Sequence, residues 1–213
     1  AHHIDLWNAA FYAGSLMAAL SQGWMLGSYI LGFENSWSAY SFAALIAVCL
    51  VAGYVLLGAS WLVMKTEGPL QLQAVRWARA ALWLTALGVL AISLATPWVS
   101  EAIFKKWFAL PYVVLLAPVP LATALLFFIT DRSLRRLPTR LGANNHYGDW
   151  VPFACTIGIF VLAFYGLAYS LFPYLVVDRI TIWQAASAPE SLKIILLGAA
   201  VVLPVIIGYT VFS

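Results

Sequence analysis

Charged residues are scarce in this sequence. Only 9% of its 213 residues are Asp, Glu, Lys or Arg, whereas soluble domains carry about a quarter. Hydrophobic residues make up 64% of the chain, and the mean hydropathy is +0.93. An aqueous fold could not cover that much apolar surface, so the composition excludes an ordinary soluble domain and favours a protein whose solvent is lipid.

Histidine and cysteine are also scarce. His2 and His3 precede the first apolar run and His146 lies between two later ones, so no histidine falls at membrane depth. Haem is usually held by axial His or Met ligands, and we therefore expect no haem bound by this chain alone. Cys49 and Cys155 each lie inside an apolar run, which favours buried free thiols over a disulfide or a metal site.

Six charge-free stretches are long enough to cross a membrane, because a helix needs about 20 apolar residues to span the hydrocarbon core. They are residues 6–31, 37–64, 80–100, 107–130, 150–177 and 194–213. The sequence therefore predicts an all-α fold, a polytopic transmembrane helical bundle with about six transmembrane helices.

The connections between these stretches differ in charge. Those after the second and fourth stretches hold seven of the eleven basic residues: Lys65, Arg76, Arg79, Arg132, Arg135, Arg136 and Arg140. The alternate connections hold Lys105, Lys106, Arg179 and Lys193. Basic loops stay in the cytoplasm, so we expect both termini to be cytoplasmic. The arginines at 132–140 either serve only as this signal or bind anionic lipid headgroups. Nothing indicates a nucleic-acid partner.

Prolines and small residues suggest how the helices pack. Pro118 and Pro120 predict a kink inside the fourth helix, and Pro204 predicts one in the last. Small residues let helix backbones approach closely. The candidates are Gly14, Gly53, Gly58 and Ala59. The connections 131–149 and 178–193 are too polar to span, and we expect loops there, with an interfacial turn of helix in the second.

All six spans lack Asp, Glu, Lys and Arg. Ion-coupled transporters usually hold such residues inside the membrane, so the pattern argues against most of them. Gln22 is the strongest candidate for a hydrated path, because it is large, polar and well inside the first span. The alternative for Gln22 is a hydrogen bond between two helices.

Three stretches carry more specific patterns. The first ends the second helix with Lys65-Thr66-Glu67-Gly68. The second joins Phe172-Pro173-Tyr174 to an outer loop with Thr181-Ile182-Trp183-Gln184-Ala185. The third is Leu203-Pro204-Val205 in the last helix. In this order and spacing, the three stretches resemble subunit II of the bacterial bd-type quinol oxidases. The resemblance is compatible with the cyanide-insensitive branch and does not separate the branches.

The resemblance implies an arrangement of the helices. Members of that family have about nine transmembrane helices, and the six here match the last six, so we expect that the N-terminal helices are missing. Residues 1–32 would then form one helix that completes an N-terminal bundle. Residues 33–177 would form a four-helix bundle, and residues 178–213 an outer loop and a final peripheral helix.

The resemblance also implies a function. The chain would be the non-haem subunit of a terminal oxidase in the bacterial inner membrane, which oxidises quinol and reduces dioxygen to water. Haem b and haem d would be held by the partner subunit I, which this chain would support structurally and in proton and oxygen access. Membrane lipids and a small accessory subunit are the other expected partners. The motif residues would be Lys65, Glu67, Gly68, Phe172, Pro173, Thr181, Trp183 and Ala185, none of them catalytic or metal-binding.

Two other functions fit parts of the sequence. A transporter or channel for a neutral substrate would use the kinked fourth helix and the tyrosine-rich fifth, but no inverted repeat of the kind common in such folds is visible. A scaffold or assembly protein unconnected with redox chemistry is the third alternative. Uptake by the isolated chain in liposomes would favour the transporter, and co-purification with a partner lacking haem ligands would favour the scaffold.

Overall fold

The computed structural model describes residues 2–99, 101–108, 116–142, 147–176 and 180–212. These residues form eight helices and one two-stranded antiparallel sheet. The elements are α1 His2–Ile30, α2 Trp37–Lys65, α3 Gly68–Val99, α4 Glu101–Phe108, α5 Pro118–Gly142, α6 Val151–Leu171, β1 Tyr174–Val176, β2 Ile180–Thr181, α7 Ile182–Ala185 and α8 Pro189–Phe212. The chain divides into two compact units, residues 1–172 and 173–213.

Four helices within the described residues are long and apolar enough to cross a membrane. They are Trp37–Lys65, Gly68–Trp98, Val151–Leu171 and Pro189–Thr210. They correspond to the second, third, fifth and sixth predicted spans, and the prediction of an all-α polytopic membrane bundle is confirmed. The first predicted span is also a helix, α1, which is not among these four.

The fourth predicted span, residues 107–130, is only partly described. Trp107 lies in the short helix α4, residues 109–115 lie outside the described part, and α5 begins at Pro118. Pro118 and Pro120 therefore lie in the first turn of α5, directly after a turn at Ala117, and the predicted kink, which depends on residues 109–115, stays a prediction. Proline lacks the amide hydrogen that a helix interior requires, but the first turn of a helix leaves that hydrogen without a partner anyway.

Two predicted loops are helical instead. Helix α3 begins at Gly68, so Arg76 and Arg79 lie on a helix, and α5 continues past Asp131 to Gly142. Burial explains both extensions. Leu134 and Leu137 are fully buried in a core with residues of α2 and α3, while the arginines of the same turns point outward. This amphipathic pattern stabilises helix without a continuous apolar run.

The cores of the first unit lie at its two ends. One consists of Leu56, Ala59, Val63, Ala74, Val75, Ala78, Ala81, Leu82, Leu134 and Leu137. The other consists of Ile30, Phe42, Ile46 and Ile103. Helix α4 is attached to α6 by a hydrogen bond that the Trp107 indole Nε1 donates to Ser170 Oγ at 2.9 Å.

Small residues bring α1, α2 and α3 together, although not all those predicted. Gly23 and Gly27 of α1 lie directly against the backbones of Ala47 and Ala43 of α2. Gly88 of α3 lies against Cys49, whose thiol is free, as is that of Cys155. Gly53 lies against the Phe160 ring, and Ala59 is buried. Gly14 and Gly58 have open space around them, so within the described part of this chain neither brings two helices together.

The contact at Gly23 predicts opposite effects for two equivalent substitutions. A Cβ at Gly23 would overlap the backbone of Ala47, so Gly23→Ala should destabilise the protein by about 1–3 kcal/mol. Gly14→Ala is the matched control on the same helix. It should be neutral or stabilising by up to about 1 kcal/mol, because alanine favours helix. Unfolding of the purified protein in detergent measures both, and equal effects would contradict the packing.

Candidate functional site

The first motif ends α2 and starts α3. Thr66 closes α2 twice: its amide donates to the Leu62 carbonyl at 3.0 Å, and its hydroxyl donates to the same oxygen at 2.7 Å. Gly68 has φ +70°, a left-handed conformation that residues with a Cβ rarely adopt. Lys65-Thr66-Glu67-Gly68 thus forms a sharp reversal. It exposes the side chains of Lys65 and Glu67 at the end of the bundle.

Gln71 holds this reversal against the start of α6. It is only 2% exposed. Its Nε2 donates to the Val63 carbonyl at 2.8 Å and to Asp149 Oδ2 at 3.0 Å. Asp149 is 8% exposed and directly precedes Trp150, which caps α6. A buried carboxylate requires hydrogen-bond donors to remain stable, and Gln71 supplies one from another helix.

A cleft of about 290 Å³ opens beside this pair. Its lining residues are Met64, Lys65, Thr66, Glu67, Gln71, Asp149 and Trp150. One cationic and two acidic side chains face it, together with an amide, a hydroxyl and an indole. Lys65 Nζ also lies 5.0 Å from the centre of the Trp61 ring, a favourable cation–π distance. The arrangement suits a small polar or zwitterionic group and offers no nucleophile–base pair.

A second polar contact lies one to two turns deeper. Ser60 Oγ and Thr156 Oγ1 are 3.4 Å apart, and neither residue is accessible. Thr156 also donates to the Pro152 carbonyl at 2.8 Å. The pair fixes the register between α2 and α6, as expected for hydroxyls between membrane helices.

The sequence analysis missed Gln71 and Asp149. The spacing in α3 could have revealed Gln71, because it falls one turn before Ala74 and Val75 on the buried face. A polar residue in line with an apolar stripe must find a buried partner. Ser60 and Thr156 were visible only as polar residues inside spans, and their pairing required the helices to be placed side by side.

The second motif is in the other unit, apart from Phe172, which ends α6. Tyr174 of β1 pairs with Thr181 of β2, and the Ile182 amide donates to the Pro173 carbonyl at 3.0 Å. Thr181 and Gln184 form a reciprocal capping box that starts α7. A turn of helix is therefore present in the predicted connection, preceded by an unpredicted hairpin, and its interfacial position stays a prediction. Arg179 lies outside the described residues.

The capping box accounts for the spacing of the second motif. The Thr181 hydroxyl accepts from the Gln184 amide at 3.3 Å, and the Thr181 amide donates to Gln184 Oε1 at 2.9 Å. A threonine at the cap and a glutamine three residues later are what this motif requires. Trp183, 66% exposed, lies between them and faces outward, and Ala185 ends the turn.

Gln22 lies far from both motifs in sequence and contacts α2. Its Oε1 accepts from the Tyr54 hydroxyl at 2.9 Å. The Tyr54 ring is stacked on Phe160 of α6, with 6.2 Å between ring centres and 5° between planes. The structure therefore gives Gln22 a hydrogen bond between helices, the alternative considered above, and its role in a hydrated path stays a prediction.

Metal ligands are not grouped anywhere in the part of the chain that the structure describes. No set of three or more His, Cys, Asp or Glu residues there could hold a metal ion. His146 lies outside the described residues, and the sequence has no histidine within an apolar run. The expectation that this chain alone holds no haem stays a prediction.

The fold and the two motifs define the class of protein. It is a helical membrane protein whose chain reversals at these motifs are polar and ordered, and its described residues contain no group of metal ligands. A family model described as cytochrome bd terminal oxidase subunit II matches residues 1–213. The chain therefore belongs to the cytochrome bd terminal oxidase subunit II family. No curated protein matches it.

The buried Gln71–Asp149 pair predicts a position-specific loss of stability. Gln71→Leu removes a donor from a buried carboxylate and should lower the free energy of unfolding by about 1–3 kcal/mol. Gln73→Leu is the matched control, because Gln73 is exposed two residues further along the same helix. Chemical unfolding in detergent measures both. A loss for Gln73→Leu as large as that for Gln71→Leu would refute the pairing.

The capping box predicts a local effect at Thr181. Thr181→Ala removes the hydroxyl acceptor and should destabilise α7 by about 1 kcal/mol. Hydrogen exchange of a peptide covering residues 180–188 should therefore become faster, while exchange in α6 stays unchanged. Thr181→Ser keeps the acceptor and should keep the protection. Unchanged exchange in Thr181→Ala would show that the cap contributes nothing.

Proposed function

We propose that this chain is the non-haem subunit II of a bd-type terminal oxidase that oxidises membrane quinol and reduces dioxygen to water. The observation that carries the proposal is the family match over residues 1–213. The partner is the haem-bearing subunit I, with haem b and haem d, and a small accessory subunit completes the assembly. The chain is a component of the enzyme and holds no catalytic residue of its own.

The surface of α1 supports a role in assembly. Residues 4–18 are exposed on all sides, whereas Ala19, Gly23 and Ile30 further along the helix are buried against the rest of the unit. Trp7 is 73% exposed and Phe11 79%. We propose that this half of α1 completes a bundle with other helices of the oxidase. The bundle of α2 to α6 then forms a second domain, and α8 a peripheral helix.

We propose that this chain also supports proton and oxygen access to subunit I in the assembled complex. Gln22 and Tyr54 are exposed at a surface of the first unit that lies inside the predicted spans. Polar residues at such a surface are more stable against protein or ordered water than against lipid. We propose that this pair faces subunit I. The motif residues Lys65, Glu67, Gly68, Phe172, Pro173, Thr181, Trp183 and Ala185 shape the two polar reversals.

Purification of the complex through a tag on this chain tests the function. We expect a multi-helix partner with membrane histidines to co-purify. Reduced-minus-oxidised spectra should show b- and d-type haem, and the complex should consume dioxygen when quinol is added. Absence of both haem types from the complex would overturn the proposal. Solute uptake by the isolated chain in liposomes would instead indicate a transporter.

The orientation is tested separately. We propose that the chain lies in the bacterial inner membrane with the α2–α3 and α5–α6 connections in the cytoplasm, since the helix ends next to these connections carry seven of the eleven basic residues. A cysteine replacing the exposed Glu67 should be protected from an impermeant thiol reagent in intact cells and labelled after permeabilisation. A cysteine replacing Glu34, in the α1–α2 connection, should be labelled in intact cells. The reverse pattern would invert the topology.

A further inference from the structure

Helix α3 has an unusual distribution of charge. Arg76 and Arg79 are the only charged residues from Gly68 to Val99, and both are exposed. Within the described ranges, neither guanidinium has an acidic partner; Asp131 pairs instead with Arg135, with 2.6 Å between Oδ2 and Nε. Two adjacent cations without a counter-ion form a surface that attracts an anion.

Helix register gives the depth of these arginines. Helices α2 and α3 are antiparallel, Gln71 contacts Val63, and Gly88 contacts Cys49. Arg79 is therefore level with residues 55–58 of α2. Those residues are about 30 Å from Trp37 at 1.5 Å per residue, which equals the thickness of the hydrocarbon core.

Trp37 marks the opposite boundary of the hydrocarbon. It is 90% exposed and follows a polar turn, and indole prefers the headgroup zone. Arg79 thus lies where the hydrocarbon ends. Arg76, one turn nearer the end of the bundle, is about 4.5 Å further out. Both lie within reach of the headgroup layer, which is about 5–8 Å thick on each side.

An apolar strip continues from the two arginines toward the membrane centre. Its members recur at helical spacing on one face of α3: Trp83, Leu87, Leu90 and Leu94. Each is more than half exposed, from 53% for Trp83 to 63% for Leu94. Residues separated by three and four positions lie above one another on a helix. The face therefore has a cationic head and an apolar stem.

We propose that this face of α3 binds one anionic phospholipid, with its phosphate between Arg76 and Arg79 and an acyl chain along Trp83, Leu87 and Leu90. A phospholipid carries its negative charge at this depth. A partner helix bound at this face would instead have to place a carboxylate at the edge of the hydrocarbon, where the burial of an ionisable group costs free energy. Both the depth and the combined charge and apolarity of the face favour lipid.

The test measures lipid binding by native mass spectrometry on the purified complex. The probes are phosphatidylglycerol and phosphatidylcholine with the same acyl chains. Wild type should retain phosphatidylglycerol preferentially. Arg76→Gln/Arg79→Gln should weaken that binding roughly tenfold or more, because each basic residue at the surface contributes about 1 kcal/mol. Arg76→Lys/Arg79→Lys should keep most of it, which shows that the fold survives substitution here.

Arg136→Gln is the matched control. The Ser60–Thr156 and Gly53–Phe160 contacts place Gly158 of α6 level with residues 55–58 of α2. Leu126 of α5 contacts Gly158 and therefore lies at the same depth. Arg136, ten residues further along α5, is therefore about 15 Å beyond the hydrocarbon. Its loss should leave phosphatidylglycerol binding unchanged.

Three outcomes would overturn the proposal. Equal phosphatidylglycerol binding by wild type and Arg76→Gln/Arg79→Gln would show that the arginines do not bind it. An equal loss in Arg136→Gln would show that only net charge matters. Loss of a co-purifying polypeptide from the double variant, with lipid preference kept, would assign the face to a protein partner.

Discussion

The hydrocarbon core offers no water to a backbone amide or carbonyl, so each must find its partner inside its own helix. This requirement accounts for the long helices. Buried side chains need partners as well: where α2 and α6 meet, Ser60 and Thr156 bond to each other, and Thr156 also bonds to a helix carbonyl. Departures from regular helix in the described residues include the reversal at Thr66–Gly68 and the hairpin between α6 and α8.

Helix α2 organises the first unit. It meets α1 through glycine–alanine contacts, α3 through Cys49 and Gly88, and α6 through Ser60 and the Tyr54–Phe160 stack. Lipid provides little hydrophobic driving force between helices, so close packing and hydrogen bonds must supply the stability. Glycine permits that approach at Gly23, Gly27 and Gly88, where a Cβ would collide with the neighbouring helix.

The two polar reversals share a design although they lie in different units. Each uses a threonine to end or begin a helix: Thr66 by bonding to the Leu62 carbonyl, and Thr181 through its capping box with Gln184. Each leaves an exposed functional group beside the cap, Lys65 in one and Trp183 in the other. The motifs that the sequence analysis matched to the family therefore have a local structural role, which is to cap helices at chain reversals.

The sequence by itself determined the solvent, the helical class and the position of most spans, because 20 apolar residues in a row have few other stable structures. Its motifs also pointed to the family that the match over residues 1–213 then showed. The limits of α3 and α5 were mistaken, because amphipathic extensions such as Leu134 and Leu137 lack a continuous apolar run. Tertiary structure alone decided which residues meet. The meeting of Gln71 with Asp149, the meeting of Gln22 with Tyr54 and the depth of Arg79 all depend on the register between helices. Close packing at Gly23 and Gly88 and the Ser60–Thr156 hydrogen bond set that register, and no local sequence pattern records these contacts.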